Sequence, residues 1–174
     1  MTAFPLHPLS AGVIALDRSG TVIPVIEARA TATMPVPPEE VFEAATDLEH
    51  ADWLPAVRGL RHLGGPAQGV GARYAVEVGL IGRHLSGVLV SREHDPPRRA
   101  RYALEEGMDL TITIAVTPTA GGSTLELVAA YSVGGGPLSG AVERASAGAA
   151  RREVARAVEQ FAARFGRKAG RVTG

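Results

Sequence analysis

The sequence predicts an α+β domain in which a curved antiparallel sheet of about seven strands packs against one long C-terminal helix. Residues 56–133 alternate apolar and polar side chains with a period of two between short turn sequences, which is typical of consecutive antiparallel strands. The segments on either side change to helical spacing. A chain of 174 residues is long enough for one such domain with a full core.

A hairpin is predicted at the N-terminal end. Two runs rich in β-branched residues flank the turn sequence DRSG at residues 17–20, and the second run ends near Met34. Pro24 has no N–H to donate to a neighbouring strand, so it implies an unpaired position. We therefore interpret the first arm as an additional edge strand.

Two short helices are predicted after this strand. Pro38 suits the first position of a helix, and Glu39 and Glu40 suit the positive end of its dipole. Asp47 is expected to cap a second short helix that ends at Pro55. The apolar residues of the first helix are expected to form a buried stripe of Val41, Phe42, Ala44 and Ala45.

Six further strands and a long helix complete the predicted order. The strand candidates are residues 56–63, 73–80, 82–93, 99–106, 109–117 and 123–133. The helix is predicted from about Leu138 to Phe165, because apolar residues recur there at a spacing of three or four. These are Ala150, Val154, Val158, Phe161 and Phe165.

The composition excludes several classes of function. The formal net charge is zero, so there is no long-range attraction for nucleic acid. The chain has no cysteine, which excludes disulfides, thiol nucleophiles and cysteine-ligated zinc. The N-terminal segment lacks a basic region and is broken by Pro5 and Pro8, and no apolar run is long enough to span a membrane. We expect a soluble cytoplasmic protein.

Motifs for metals, phosphates and serine hydrolysis are also absent. None of His7, His50, His62, His84 and His94 forms a pair at metal-ligand spacing, so no metal is expected. The glycine-rich residues 64–71 match neither a P-loop nor a dinucleotide fingerprint, and we interpret them as a strand connection. There is no G-x-S-x-G nucleophile elbow. No cofactor is predicted.

Three segments carry a resemblance to a known family. The most specific is ATMPVPPEEVFEAATDLEHADWLPAV at residues 32–57, and GVGARY at 69–74 and EHDPPRRARY at 93–102 match later landmarks. The chain resembles the START-like superfamily in its polyketide cyclase/dehydratase and lipid-transport branch, the SRPBCC proteins of helix-grip fold. The resemblance implies a domain at residues 22–166, an N-terminal extension at 1–21 and a basic tail at 167–174.

The predicted pleat places every tyrosine on the apolar face of the sheet. Tyr74, Tyr102 and Tyr131 each share a face with apolar neighbours, so their hydroxyls either bind a ligand carbonyl or phenol or reach solvent or a backbone carbonyl. Trp53, the only tryptophan, is expected to plug one end of the sheet, with a ligand contact as the alternative. Arg73, Glu77 and Arg101 are predicted on the opposite, solvated face of the sheet.

The orientation of His84 depends on the phase of its strand. It faces inward only if Gly82 and Gly87 mark a β-bulge that shifts this phase.

Small residues in the last helix indicate either a void between the helix and the sheet or a close approach of the helix to the sheet. Residues 145–150 are all small, whereas larger apolar residues follow. If a void exists, the predicted ligand-binding residues are Trp53, Tyr74, Tyr102, Leu104, Ile112, Ile114, Leu127, Tyr131, Ala150 and Val154. The basic residues of this helix and of the tail indicate either a solvated face or binding to an acidic partner or an anionic lipid surface. They are Arg151, Arg152, Arg156, Arg164, Arg167, Lys168 and Arg171.

Taken with the resemblance, these residues predict binding of a small hydrophobic ligand that is lipid-, aromatic- or polyketide-like. The protein is expected to act as a carrier or sensor. The alternative is a cyclase or dehydratase with His84, Tyr102 and Tyr131 as candidate catalytic residues. A third hypothesis is a protein-interaction or quinone-chaperone module. Ligand identity and oligomeric state stay open.

Overall fold

The structure, a computed structural model, describes residues 14–16, 22–80, 83–106, 108–132 and 139–169, and it confirms the α+β fold. In chain order the elements are β1 (Ile14–Leu16), β2 (Val22–Met34), α1 (Pro38–Thr46), a 3₁₀ helix (Leu48–His50), β3 (Val57–Gly64), β4 (Arg73–Leu80), β5 (Arg83–Asp95), β6 (Arg99–Leu104), β7 (Leu110–Thr119), β8 (Gly122–Ser132) and α2 (Ser139–Ala169).

The strands form one antiparallel sheet in the order β1-β2-β8-β7-β6-β5-β4-β3. Each predicted strand is present, and β1 is the additional edge strand at one side of the sheet. The helix α2 packs against β2 and β8 and covers the inner face. No helix among the described residues has the length and apolar content needed to cross a bilayer.

Helix α1 begins at Pro38 as predicted, because the first helical position needs no N–H donor.

The second predicted helix is shorter than predicted, because it ends at His50 and not at Pro55. After the single 3₁₀ turn the chain continues to β3 in turns closed by backbone bonds, including Leu54 N–H to the Ala51 carbonyl at 3.0 Å. Asp47 occupies the N-cap position as predicted, but its side chain makes no capping bond, and its carboxylate accepts a hydrogen bond from Nδ1 of His50 at 2.8 Å instead. Pro55 leaves too few residues for a longer helix, because a short helix makes too few hydrogen bonds to offset the free-energy cost of its nucleation.

The loop after this turn is fastened to the C-terminal helix. Trp53 is 2% exposed, and its ring meets the edge of Phe161 of α2 with centroids 4.9 Å apart. Nearby, the guanidinium of Arg164 pairs with the Asp52 carboxylate and donates to the His50 carbonyl at 3.3 Å. The loop therefore closes one end of the sheet against α2, as predicted for the plug.

The glycine-rich connection of β3 and β4, residues 65–72, is a loop whose two ends lie close together. Gly65 has φ +81°, and a Cβ there would lie 2.3 Å from the carbonyl oxygen of Gly71. Within the loop, Ala72 N–H donates to the Gly69 carbonyl at 3.2 Å, and Gly71 N–H ties the loop to β5 by donating to the Ser91 carbonyl at 2.9 Å. A side chain at residue 65 must therefore displace backbone.

We expect Gly65→Ala to lower the free energy of unfolding by about 1–3 kcal/mol or more. An alanine at this position would have to adopt a left-handed backbone conformation, and its Cβ would clash with the backbone of Gly71. Gly64→Ala is the matched control, since a Cβ at Gly64 meets nothing within 4 Å and should change stability by no more than about 0.5 kcal/mol. Urea unfolding of both variants measures the difference. Equal losses in the two variants would contradict this account of the turn.

Candidate functional site

An apolar cavity of about 160 Å³ lies between the inner face of the sheet and α2. Its walls come from strands β3 to β8, from the loop that carries Trp53, and from α2. A dry apolar cavity of about 150 Å³ is enough to hold benzene. The small side chain of Ala150, 4% exposed, helps to leave this space open under the helix.

Almost all the predicted ligand-binding residues line this cavity. They are Trp53, Tyr102, Leu104, Ile112, Ile114, Leu127, Tyr131, Ala150 and Val154. The pleat explains the agreement for the strands, since alternate residues in parts of β7 and β8 line the cavity. The helical spacing explains it for α2, where Val154 follows Ala150 by one turn.

Tyr74 is the exception. It is buried at 2% exposure, but it does not line the cavity. Its hydroxyl donates to the Ala67 carbonyl at 3.0 Å, and its ring meets the edge of the His62 ring at 5.3 Å. Burial raises the pKa of this phenol, and the carboxylates of Glu49 and Asp47 add to the rise. The hydroxyl therefore has the backbone partner that the sequence left open as an alternative.

The other two tyrosines present neutral phenols to the site. Burial raises the pKa of Tyr102, with a smaller contribution from Tyr74. Burial also raises the pKa of Tyr131, and the positive charge of Arg151 opposes this rise. A phenol with a raised pKa keeps its proton at neutral pH and acts as a hydrogen-bond donor.

Two donors beside the cavity are unpaired. Nε1 of Trp53 and the hydroxyl oxygen of Tyr131 are buried and have no hydrogen-bond partner among the described residues. A buried donor without a partner costs about 1–3 kcal/mol. Neither atom exposes surface to the cavity, so a ligand oxygen reaches either donor only after a small shift of the side chain. The walls as they stand suit an apolar molecule.

His84 lies outside the cavity. Pairing between β4 and β5 is continuous from Arg83 to Val90, so no bulge at Gly87 changes the phase of the strand. Leu85 lines the cavity, and His84 therefore points to the other face, where it is exposed. The predicted solvent-face residues Arg73, Glu77 and Arg101 are exposed as well.

Sequence reasoning missed one charged residue of the cavity wall. Glu153 of α2 lines the cavity, and its carboxylate pairs with Arg156 at 3.3 Å. The signal was present in the spacing, because Glu153 follows Ala150 by three residues and precedes Ala157 by four. Within the described ranges, no cluster of three or more His, Asp or Glu side chains could hold a metal ion.

Comparisons with known proteins agree with this geometry. Residues 25–166 match the family described as polyketide cyclase / dehydrase and lipid transport. Protein TTHA0849 from Thermus thermophilus is 22% identical with a TM-score of 0.71, covering 82% of this chain and 98% of that one. The Zhui aromatase/cyclase from Streptomyces sp. R1128 is 16% identical with a TM-score of 0.70, covering 86% and 99%.

A START superfamily protein from Mycobacterium smegmatis is also similar in fold. It is 14% identical with a TM-score of 0.64, and the match covers 82% of this chain and 98% of that one. The comparison with curated protein sequences finds no match. At these identities the solved structures show a shared fold.

Proposed function

This chain belongs to the polyketide cyclase / dehydrase and lipid transport family, and on that premise we propose that it binds a small hydrophobic ligand in the α2 cavity as a carrier or sensor without turnover. The family match confirms the resemblance found in the sequence. The observation that carries the proposal is the cavity itself: apolar walls, two neutral phenols and a volume sufficient for an aromatic ring. In this proposal the protein works in the cytoplasm.

The chemistry of the walls favours binding over turnover. General acid–base catalysis works best with a group whose pKa lies near the working pH. Tyr102 and Tyr131 have pKa values raised above the ordinary value for a phenol, which is already far above neutral. No histidine of the described residues lines the cavity.

A cyclase or dehydratase is the second candidate function, and the two cavity tyrosines favour it. Tyr102 and Tyr131 line the same cavity, and a phenol there can polarise the carbonyl of a substrate. The cavity shape would then fold a flexible substrate. The aromatase/cyclase named above has the same fold, which is compatible with this candidate.

Native mass spectrometry of gently purified protein tests the binding proposal. A discrete apolar adduct is expected, and its mass narrows the ligand class. Incubation with the released molecule then separates the two candidates, since a carrier returns it unchanged. A dehydratase gives a product that has lost water, and a cyclase gives an isomer with a different chromatographic retention. Absence of any adduct, together with no binding of small aromatic probes, would remove the proposal.

The tyrosines give a prediction with an internal control. We expect Tyr131→Phe to weaken ligand binding by up to about tenfold while leaving stability unchanged or slightly higher, because its hydroxyl has no partner to lose. Tyr102→Phe should behave similarly in binding. Tyr74→Phe should do the opposite: it loses the bond to Ala67, costs about 0.5–1.5 kcal/mol, and leaves affinity unchanged.

Calorimetric titration and urea unfolding of the three variants measure both effects. Unchanged affinity in both Tyr131→Phe and Tyr102→Phe would show that neither hydroxyl contacts the ligand.

A further inference from the structure

An arginine-rich surface lies on the outer face of the sheet, away from the cavity. Strands β3 to β6 build it, because alternate residues of a strand point to opposite faces and the cavity-lining residues Leu60, Leu89 and Tyr102 take the inner one. We term it the arginine surface. Its members are Arg61, Arg73, Arg92, Arg99, Arg101, Glu93 and Glu105.

Each of the two glutamates of this surface is shared by two arginines. The ion pairs are Arg73 with Glu105 at 2.7 Å, Arg92 with Glu105 at 3.3 Å, Arg99 with Glu93 at 3.4 Å and Arg101 with Glu93 at 3.6 Å. The four arginine side chains are between 46% and 51% exposed. Each group therefore keeps one positive charge without a counter-ion, and its guanidinium groups remain accessible.

Arg61 adds a further positive charge. It is exposed on β3 and forms no ion pair within the part of the chain that the structure describes. Glu77 lies on the same face of β4, and counting it still leaves positive charge in excess. In the adjoining turn Asp95 is paired with Arg98 at 3.0 Å and adds no net charge. This face is therefore positive, although the formal net charge of the whole chain is zero.

Two exposed apolar side chains border the arginine surface at one corner. Leu63 and Val70 are 44% and 61% exposed, and they are the exposed large apolar residues of the described ranges. The loop between β3 and β4 brings them together, because Gly65, two residues after Leu63, lies against the carbonyl of Gly71, which follows Val70. The same loop leads directly into Arg73 of the arginine surface.

We propose that this face docks the protein on a membrane that contains anionic lipids. Guanidinium groups pair with the phosphate and carboxylate groups of lipid heads, and an anionic leaflet attracts basic side chains near it. Leu63 and Val70 then enter the apolar side of the interface. Residues 61–73, which join the two features, contain no aspartate or glutamate that such a membrane would repel.

A bilayer fits this face better than a nucleic acid does. A phosphate backbone matches the arginines, but it offers no apolar layer to the two side chains of the corner. Docking goes beyond ligand binding and does not depend on it, since the arginine surface and the cavity lie on opposite faces of the sheet. For a protein that takes up an apolar molecule, a membrane is also a place where such molecules collect.

Co-sedimentation with lipid vesicles tests the proposal. One set of vesicles is phosphatidylcholine alone, and the other contains about 30% phosphatidylserine. At low ionic strength the wild-type protein should bind the anionic vesicles at least about tenfold more tightly than the neutral ones. Raising the salt concentration to about 0.5 M should release most of the bound protein, because ions screen the contact.

A pair of arginine substitutions locates the contact. Arg61→Gln combined with Arg92→Gln should lower the partition coefficient for the anionic vesicles by about tenfold or more, and Glu105 keeps its second arginine partner in this variant. Arg151→Gln combined with Arg152→Gln is the matched control, because both residues are exposed on α2 and the change in net charge is the same. The control should stay within about twofold of the wild type.

The apolar corner has its own variant. Leu63→Ser combined with Val70→Ser should lower the partition coefficient several-fold at unchanged net charge, because the interface then has less apolar surface to bury. Both side chains are exposed, so far-ultraviolet circular dichroism should match the wild type. Ala150→Phe, which places a ring in the cavity, should bind the vesicles as the wild type does.

These results decide the proposal. Equal binding to the two kinds of vesicle, or a loss in the α2 control as large as in the Arg61 and Arg92 variant, overturns docking through the arginine surface. Binding to a DNA duplex but not to anionic vesicles would assign the surface to nucleic acid and likewise overturn the membrane proposal. Ligand binding in the cavity is measured separately and is left standing by each of these outcomes.

Discussion

Trp53→Ala should lower the free energy of unfolding by about 3–5 kcal/mol, the usual cost of removing a large aromatic side chain from a core. The indole is 2% exposed and packs against Phe161 at 4.9 Å. Its loss leaves an empty space between the closing loop and α2. Urea denaturation followed by far-ultraviolet circular dichroism measures the change, because the variant has no tryptophan to follow by fluorescence.

Two companion variants make this prediction specific. Leu63→Ala removes an apolar side chain that is 44% exposed, and it should change stability by no more than about 0.5 kcal/mol. Trp53→Phe keeps most of the aromatic packing and removes the unpaired Nε1, so it should cost much less than the alanine variant. A loss in Trp53→Ala no larger than that in Leu63→Ala would mean that the loop does not seal the core.

Ala150→Phe should leave stability within about 1 kcal/mol of the wild type and reduce ligand affinity by about a hundredfold or more. Ala150 lines the cavity, so the added ring has space to occupy and apolar surface to contact. The ring then takes the volume that a ligand needs. Thermal unfolding and titration with 2-naphthol give the two quantities.

Ala45→Phe is the control for this substitution. Ala45 is fully buried in α1 but does not line the cavity, so the same ring should overpack the core and cost about 1–3 kcal/mol. If Ala150→Phe destabilises the ligand-free protein as much as Ala45→Phe does, residue 150 has no free space above the sheet.

The strands and most of the cavity wall could be predicted because they depend on local periodicity. A period of two assigns each strand residue to one face, and this placed Tyr102, Leu127 and Tyr131 correctly toward the helix. The start of α1 at Pro38 is equally local. The family resemblance supplied the arrangement of the strands, which periodicity alone does not fix.

Other features depend on contacts between distant segments. Alternation places Tyr74 on the inner side, but only the folded turn brings the Ala67 carbonyl to its hydroxyl. The orientation of His84 depended on whether β5 contains a bulge near Gly87, which the pairing with β4 decides. Glu153 was overlooked because a charged residue in a basic helix is usually solvated, although its spacing from Ala150 marked the inner face.

The outer strands of the sheet bear on whether copies of this chain pair edge to edge. A formal net charge of zero gives little overall repulsion between molecules, so any opposition to such pairing comes from local features. At one side of the described sheet β1 has only three residues, which is a short template for pairing with another chain. At the other side β3 carries Arg58 and Arg61, both exposed, and charged side chains on an edge strand oppose the same pairing. The features that oppose strand pairing between molecules thus lie at the two margins of the described sheet, and the charge of the whole molecule adds little to them.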